Sequence, residues 1–350
     1  MSCVLGIETT CDETACAVVE DGRIVRSNVV RTQIDLHQKY GGVVPEIAAR
    51  AHIEWLNDIM ATAMQIAGVT AEDLSGIAVA NCPGLVGCLL VGVSAAKALA
   101  FAWDKPLVGV NHVHAHLYAG CLIPPQGRDN ASAVWPDPPA LPALGLVISG
   151  GHTTLYEVQR FDSLRRLGST IDDAVGEAFD KVAAILQLGY PGGPLVENLA
   201  RDGRANEVKF PLSLLGKQSL DFSFSGIKTA VLYHVNGPGG AQRTSADLTP
   251  QQRADTAAAF QRVVTEILEV KVRRAMEVMT PRSLIVGGGV SANACIRGCL
   301  QRVADAAKIP LYLPPMAYCT DNAAMIAGLG SQLLESGGRA DLDLSAIATA

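Results

Sequence analysis

The chain has 350 residues, 49% hydrophobic and 18% charged, so it can bury a large core but is too long for one ordinary hydrophobic nucleus; two domains are expected. A formal net charge of −6 excludes a protein that grips nucleic acid by bulk electrostatics, so a nucleic-acid partner would need a local basic patch or a helper subunit. Nine cysteines form an odd set without a CxxC pair, several of them (Cys3, Cys88, Cys295, Cys299) in apolar surroundings, which speaks for reduced thiols and against a disulfide framework or a thiolate zinc site. The start lacks a basic segment followed by a long apolar run, and no later apolar stretch reaches membrane-spanning length without glycine, proline or charge. A soluble, cytoplasmic protein with no membrane partner is expected.

Residues 3–10 and 14–20 read as strands, and Asp21-Gly22 as a hairpin turn into a third run over 23–31, so the chain opens as an antiparallel meander. The pattern turns helical from Pro45 to about Ala67. A short strand over 76–80 then meets the turn Pro83-Gly84-Leu85-Val86-Gly87 and a small-residue helix through Ala102. Leu107 to Val110 is another strand, and it ends where VNHVHAHL begins, which places His112 at a strand-to-helix junction. The proline-rich stretch from Pro124 to Pro142 reads as a surface loop at a domain boundary. Past it, residues 144–149, the pair Gly150-Gly151 and residues 153–158 repeat the opening scheme of strand, polar turn and strand, as an internal duplication would. Helices are expected at about 174–187, 193–202, from Phe224, and over 250–279; strand 283–287, the turn Gly287-Gly288-Gly289 and a helix near Ser291 follow.

Chemistry concentrates at a few of these junctions. His112 and His116, four apart, share one helical face and can grip one metal ion; a solvated histidine-rich helix start is the alternative. The run VLGIETTCDET sets Glu8, Asp12 and Glu13 among threonines at a tight turn, where acids can hold a cation or accept a proton. Ser149-Gly150-Gly151 is the matching turn of the second half, with glycines that let backbone amides approach an anion. In TIDDAVGEAFDK, Asp172 and Asp173 suit helix capping, whereas Asp180 lies deeper in the helix; YPGGP follows as a rigid turn. Lys228 in DFSFSGIKT fits an anion contact or a helix cap. Gly287-Gly288-Gly289 before Asn293 suits a nucleotide loop but is no dinucleotide fingerprint, because Ala292 stands where the third glycine belongs. Asp321, before a small-residue helix, reads as an N-cap or as the carboxylate completing a two-histidine site, and no spacing links it to His116. Lys271, Arg273 and Arg274 on the long helix form either a phosphate patch or a solvated charge run.

Taken together and in order, VLGIETTCDET, HQKYGGVVPEIAARAH, CPGLVGCLLVG, NHVHAH, VISGGHTTL, DDAVGEAFDKVA, YPGGP, DFSFSGIKTAV, GGGVSAN and CTDNAAMIA resemble the bacterial tRNA threonylcarbamoyladenosine-forming transferases, once called O-sialoglycoprotein endopeptidases, over about residues 3–335. The resemblance implies an α/β protein with the actin-like ATPase fold shared by actin, sugar kinases and heat-shock chaperones (the ASKHA fold), as two duplicated lobes around a central cleft. One lobe is expected over 1–120, with 322–350 packing back on it, and the other over 121–321. By the same resemblance His112, His116 and Asp321 hold one divalent metal ion, iron before zinc, and His114, on the other side of the helix, is left out. Nucleotide and substrate contacts fall on Val147, Ile148, Ser149, Gly150, Gly151, Asp180, Gly193 and Asn293, and on Glu197, where many members carry Asp. The acidic pair Asp12 and Glu13 falls near the reacting centre.

The implied reaction moves a threonylcarbamoyl group from threonylcarbamoyl-adenylate to the exocyclic amine of the adenosine beside the anticodon, in tRNAs that read codons starting with A, and releases AMP. The implied partners are tRNA, a paralogous actin-like subunit for which the helix around Ile47 to Ile66 is a candidate surface, a small ATPase, and a separate synthase that makes the adenylate. Three rivals share some of these features. A metallopeptidase would fit the old family name but lacks HExxH, since Val113, His114 and Ala115 stand between the histidines. A small-molecule kinase would share the fold, and a silent scaffold subunit would have little need of three metal ligands.

Overall fold

β1 (Cys3–Glu8) reads CVLGIE, apolar up to its last residue, and all six residues are buried, the pattern of a strand covered on both faces. The computed structural model describes residues 2–40, 42–125, 137–237 and 244–349, which fall into two units. The first gathers 1–138, 160–163 and 314–350; the second gathers 139–159 and 164–313.

In the first unit β1 pairs antiparallel with β2 (Glu13–Glu20), and β2 with β3 (Ile24–Thr32). The expected hairpin turn is there: Asp21 and Gly22 both take positive φ, 48° and 71°, as a two-residue turn matched to strand twist requires. After α1 (Ile34–His37) and α2 (Pro45–Ala67) come β4 (Leu74–Cys82), α3 (Val86–Trp103), β5 (Leu107–Asn111) and α4 (His112–Tyr118). β4 lies parallel to β1 and β5 parallel to β4, giving the order β3-β2-β1-β4-β5. Alternate side chains serve two cores. Cys16 of β2 joins Leu56 and Ile59 of α2 and Val93 of α3, while Ala15, Ala17 and Val19 point to the opposite face. α3 is the one described helix long and apolar enough to cross a membrane; its Cys88, Leu89, Gly92, Val93, Ala96 and Ala100 are buried within this unit.

The second unit repeats the plan. β6 (Ala143–Ile148) pairs antiparallel with β7 (Thr153–Arg160), which neighbours β8 (Ser163–Ser169). α5 (Val175–Ile185), α6 (Gly192–Ala200), α7 (Ser225–Asn236) and α8 (Pro250–Met279) precede β9 (Ser283–Gly287), α9 (Ala294–Ala307) and β10 (Leu311–Tyr312). β9 is parallel to β6 and β10 to β9, so the order β8-β7-β6-β9-β10 matches that of the first unit strand for strand. The duplication expected from the two strand-turn-strand segments therefore extends to whole sheets. Its core is built on Phe179, Phe222, Phe224 and Phe260, with Phe179 and Phe260 packed edge to face at 5.0 Å.

α10 (Ala323–Glu335) returns the chain to the first unit, where Ala323, Met325 and Ile326 pack with Ala15, Ala17 and Val19 on the second face of that sheet. Two expectations on organisation need correction. The boundaries lie at 138/139 and 313/314, not at 120/121 and 321/322, because the segment before α10 already carries Tyr318 into the first unit's core; Asp321 thus belongs with the histidines. Cys295 is exposed, although Cys3, Cys88 and Cys299 are buried as their surroundings suggested. Of the proline-rich loop, residues 126–136 lie outside the described residues.

Candidate metal centre and nucleotide turns

α4 is only seven residues long, and its start is set by Asn111, whose side-chain oxygen accepts from the His114 amide at 3.1 Å. That cap fixes the helix phase so that His112 and His116 fall one turn apart, both buried, with ring centroids 4.8 Å apart. At the head of α10 the N-cap is Asn322, which accepts from the Met325 amide at 3.0 Å. Asp321, one residue earlier, is thereby freed from capping, and its Oδ1 lies 3.1 Å from His116 Nε2 and 3.5 Å from His112 Nε2.

These three residues fit a metal ion on chemical grounds. The ligand atoms all lie within 4.8 Å of one another. Metal–nitrogen and metal–oxygen bonds of about 2.1 Å in tetrahedral geometry separate neighbouring ligand atoms by about 3.4 Å, close to both histidine–aspartate distances. His116 Nε2 reaches Asp321 but is not aligned to hydrogen-bond with it, and Nδ1 of the same ring is buried without a hydrogen-bond partner. A buried imidazole without a hydrogen-bond partner, one helical turn from a second imidazole and beside a carboxylate, is a donor set suited to a metal ion. Burial pushes the His112 imidazole down, but the Glu8 and Asp321 carboxylates reverse this and hold it well above its ordinary value. Burial raises Asp321, and His112 and His116 outweigh it, holding the carboxyl well below the usual range. The site favours concentrated positive charge.

The acidic turn sits beside it. Burial, then Asp321 and Asp12, push Glu13 up to about 10. Three donors fix the backbone of this turn: the Leu85 amide to Thr10 O at 2.9 Å, the Gln33 amide to Asp12 O at 2.9 Å, and His52 Nε2–H to Cys11 O at 2.9 Å. His52 in turn accepts from the Thr14 hydroxyl at 2.7 Å, and burial lowers its pKa, so it is the neutral imidazole. His52 and Gln33 escaped the sequence reading. The only signal for His52 is its place at the end of HQKYGGVVPEIAARAH.

In the second unit the residues proposed for nucleotide contact fall into two groups. Val147 and Ile148 are fully buried in β6, so their side chains belong to the core and only their backbone can meet a ligand. Ser149 closes the following turn, its amide donating to His152 O at 2.8 Å and its hydroxyl accepting from the His152 amide at 3.1 Å. Gly150 and Gly151 are exposed, with open space where a Cβ would stand. The turn rests on Gly176 at the start of α5, whose amide donates to Ser149 O; a Cβ on Gly176 would come within 2.7 Å of that oxygen.

The other group gathers around the start of α6. Asp180 Oδ1 accepts from the Gly192 amide at 2.8 Å, and its carboxyl, raised by burial, is opposed by the amides of Gly192 and Gly193. Asp180 and Gly193, far apart in YPGGP and DDAVGEAFDK terms, are neighbours. Glu197 Oε1 accepts from the Ala294 amide at 2.9 Å, next to Asn293, whose side-chain nitrogen donates to Gln261 Oε1 at 2.9 Å. The longer Glu side chain thus serves the head of α9.

Other charged residues have structural work. Asp172 accepts from the Phe224 and Ser225 amides and from the Ser223 and Ser225 hydroxyls, capping α7 and not α5. Burial raises Asp172, but these hydrogen bonds outweigh it and hold the carboxyl below its usual 3.8. Asp172→Asn is expected to cost about 1 kcal/mol at pH 7 in chemical denaturation. A depressed carboxylate contributes stability above its unfolded pKa and loses it as pH falls through the folded value, so the gap between variant and wild type should close below about pH 3.8. Lys228 pairs with Asp173 at 3.1 Å, beside Lys181 at 2.6 Å. The basic patch on α8 is also corrected: Lys271 is fully buried and donates to Leu214 O and Ser219 O at 2.7 Å, while Arg273 pairs with Glu269. Arg274 joins Lys271 on the same loop carbonyls, so the run holds a loop in place.

Among solved structures, the chain is similar to HypF of T. kodakarensis (TM-score 0.57, 15% identity, 96% of this chain and 48% of that one) and to component A of the Acidaminococcus fermentans (R)-2-hydroxyglutaryl-CoA dehydratase (TM-score 0.50, 15% identity, 95% and 98%). These likenesses establish the actin-like ATPase fold. The family model for tRNA N6-adenosine threonylcarbamoyltransferase matches residues 24–328. Proteins of that name from Symbiobacterium thermophilum (51% identical over 344 residues, 98% of this chain and 95% of the relative) and Trichlorobacter lovleyi (48% over 350 residues, 99% and 96%) match along almost their whole length. By that extent of matching, the chain belongs to the tRNA N6-adenosine threonylcarbamoyltransferase family.

Proposed function

We propose that this chain transfers a threonylcarbamoyl group from threonylcarbamoyl-adenylate to the exocyclic amine of the adenosine beside the anticodon, in tRNAs that read codons starting with A. The observation that carries the reading is the convergence of His112, His116 and Asp321 in a chain of this transferase family. In the reaction the amine nitrogen forms a bond to the carbamoyl carbon, the bond from that carbon to the phosphate oxygen breaks, AMP leaves, and the amine proton passes to a base. His112, His116 and Asp321 would hold a divalent ion, which would supply Lewis-acid polarisation and orientation for donor oxygens. Two nitrogens and one carboxylate suit iron and zinc, and the family resemblance favours iron.

The chain's own residues have separate tasks. The turn of Ser149 and the exposed glycines Gly150 and Gly151 holds the adenylate's phosphate, and the cluster of Asp180, Gly193, Glu197 and Asn293 holds its nucleoside part. Asp12 and Glu13 flank the reacting centre, and one of them takes the amine proton. A cation held beside Asp321 would oppose the push that raises Glu13 and so favour its service as a base. The anticodon loop is single-stranded, so the base is reachable without duplex opening.

Further partners follow from the chemistry and the family. The adenylate is a reactive mixed anhydride and needs its own synthase, and a chain of net charge −6 with its α8 basic residues engaged internally gains tRNA affinity from helpers. A paralogous actin-like subunit and a small ATPase are proposed, the former against α2, whose Ile53 and Ile66 are exposed. A cytoplasmic location is proposed with them. The test uses the chain with these partners, labelled threonine, bicarbonate, ATP and unmodified tRNA. One AMP released by this chain per label incorporated into tRNA is expected. Phosphate transfer to a small hydroxyl compound, or cleavage of a glycoprotein abolished by chelator, without tRNA labelling would favour the kinase or peptidase instead.

A further inference from the structure

Glu8 is the last residue of β1, fully buried at the end of an otherwise apolar strand. Its two oxygens have separate partners. Oε1 accepts from the Thr10 amide at 2.6 Å, which fixes the carboxylate plane, and Oε2 lies 2.8 Å from His112 Nδ1. A carboxylate can only accept, so Nδ1 must carry the proton in this contact. The Thr10 hydroxyl, 3.3 Å from the same nitrogen, can donate or accept and sets no preference. The opposite nitrogen, Nε2, faces Asp321. His116 has no equivalent support, since its Nδ1 is buried without a hydrogen-bond partner.

We propose that Glu8 is a positioning residue for the metal centre: by accepting the Nδ1 proton of His112 it fixes the tautomer that presents the Nε2 lone pair to the ion, and makes His112 the anchored ligand of the pair. The proposal rests on the reading of His112, His116 and Asp321 as one metal site. Carboxylate backing of a ligand histidine orients the ring and raises its basicity, and its removal typically weakens metal binding about 10–100-fold. Glu8→Gln keeps the volume but cannot keep both contacts. If its oxygen faces His112, its NH2 opposes the Thr10 amide; if its oxygen faces Thr10, its NH2 donates to Nδ1 and drives the proton onto Nε2, the wrong position for a ligand.

Zinc is the probe, titrated into metal-stripped full-length wild type, Glu8→Gln and Asp321→Ala by competition with a chelating dye, alongside thermal melts without zinc. Glu8→Gln should bind zinc about 10–100-fold more weakly than wild type, and nitrogen-15 spectra of zinc-loaded wild type should place the His112 proton on Nδ1. Equal zinc affinity for wild type and Glu8→Gln overturns the role of Glu8. Failure of wild type to bind zinc more tightly than Asp321→Ala overturns the metal site itself and the proposal with it. Should Glu8→Gln not fold, the wild-type spectrum still decides: a proton found on His112 Nε2, or metal found on Nδ1, contradicts the proposal.

Discussion

Alanine at His112 or at Asp321 is expected to lower threonylcarbamoyl transfer to tRNA at least about 100-fold, beyond the range for loss of a supporting contact. The two substitutions remove different parts of one centre. Asp321 is the only acidic member of the three, and it is held far into its ionised form by the two imidazoles. Its loss removes the charge that brings two buried histidines toward one point. Loss of His112 takes away the ring braced by Glu8 and leaves His116 with Asp321 alone. Neither residue caps a helix, because Asn111 and Asn322 do so, and neither contributes to the apolar clusters. Melting temperatures within a few degrees of wild type are therefore expected alongside the loss of activity and of bound metal. Full activity in both variants would show that the centre has no part in the reaction.

Gly288→Ala is the second large effect. Gly288 follows β9 with φ 94° and ψ 158°, a backbone region essentially restricted to glycine, which costs another residue about 1–3 kcal/mol. An added Cβ would also collide with the carbonyl oxygen of Ile148 and come within 2.7 Å of its carbonyl carbon. Ile148 cannot retreat easily, because it is fully buried and its strand is paired on both sides, with β7 and with β9. A total loss of about 3 kcal/mol, and hence roughly 6–12 °C in melting temperature, is expected. Since Ile148 leads directly into Ser149-Gly150-Gly151, the KM for threonylcarbamoyl-adenylate should rise as well, while zinc binding in the first unit should be unchanged. A melting temperature equal to wild type would contradict the backbone argument.

The parts of the fold written in local patterns were legible. The Asp21-Gly22 turn, the apolar runs of β1 and β6, and α8 from Pro250 to Met279 each carry their own signal in periodicity, turn chemistry or caps. β8 was missed because SLRRLGS is polar, with exposed and half-buried residues mixed along it, so it has no alternating stripe to read. The boundary near 313/314 was missed because nothing local in PPMAYC says which core Tyr318 will enter.

The site divides in the same way. The pair His112 and His116 is a spacing signal within one turn of helix, so it is visible in the sequence. Asp321 could be reached only through family resemblance, since the contact spans 205 positions of chain that only the fold brings together. His52, Gln33 and Gln261 act through hydrogen bonds to distant backbone or side chains, and such contacts have no periodicity. The alternative role for Asp321 as an N-cap failed by one position, since Asn322 takes it. The α8 basic run misled because a lysine that reaches buried carbonyls and one that reaches solvent look alike in one dimension.

The most direct measurement supplies preformed threonylcarbamoyl-adenylate, labelled in the threonine, to the metal-loaded chain with the proposed actin-like partner and unmodified tRNA, with no ATP present, and digests the tRNA to nucleosides after one turnover. Label is expected on the exocyclic nitrogen of the adenosine beside the anticodon, with an equal amount of AMP released. Label that stays off the tRNA in wild type, with the adenylate only hydrolysed or left intact, would contradict the proposed transfer.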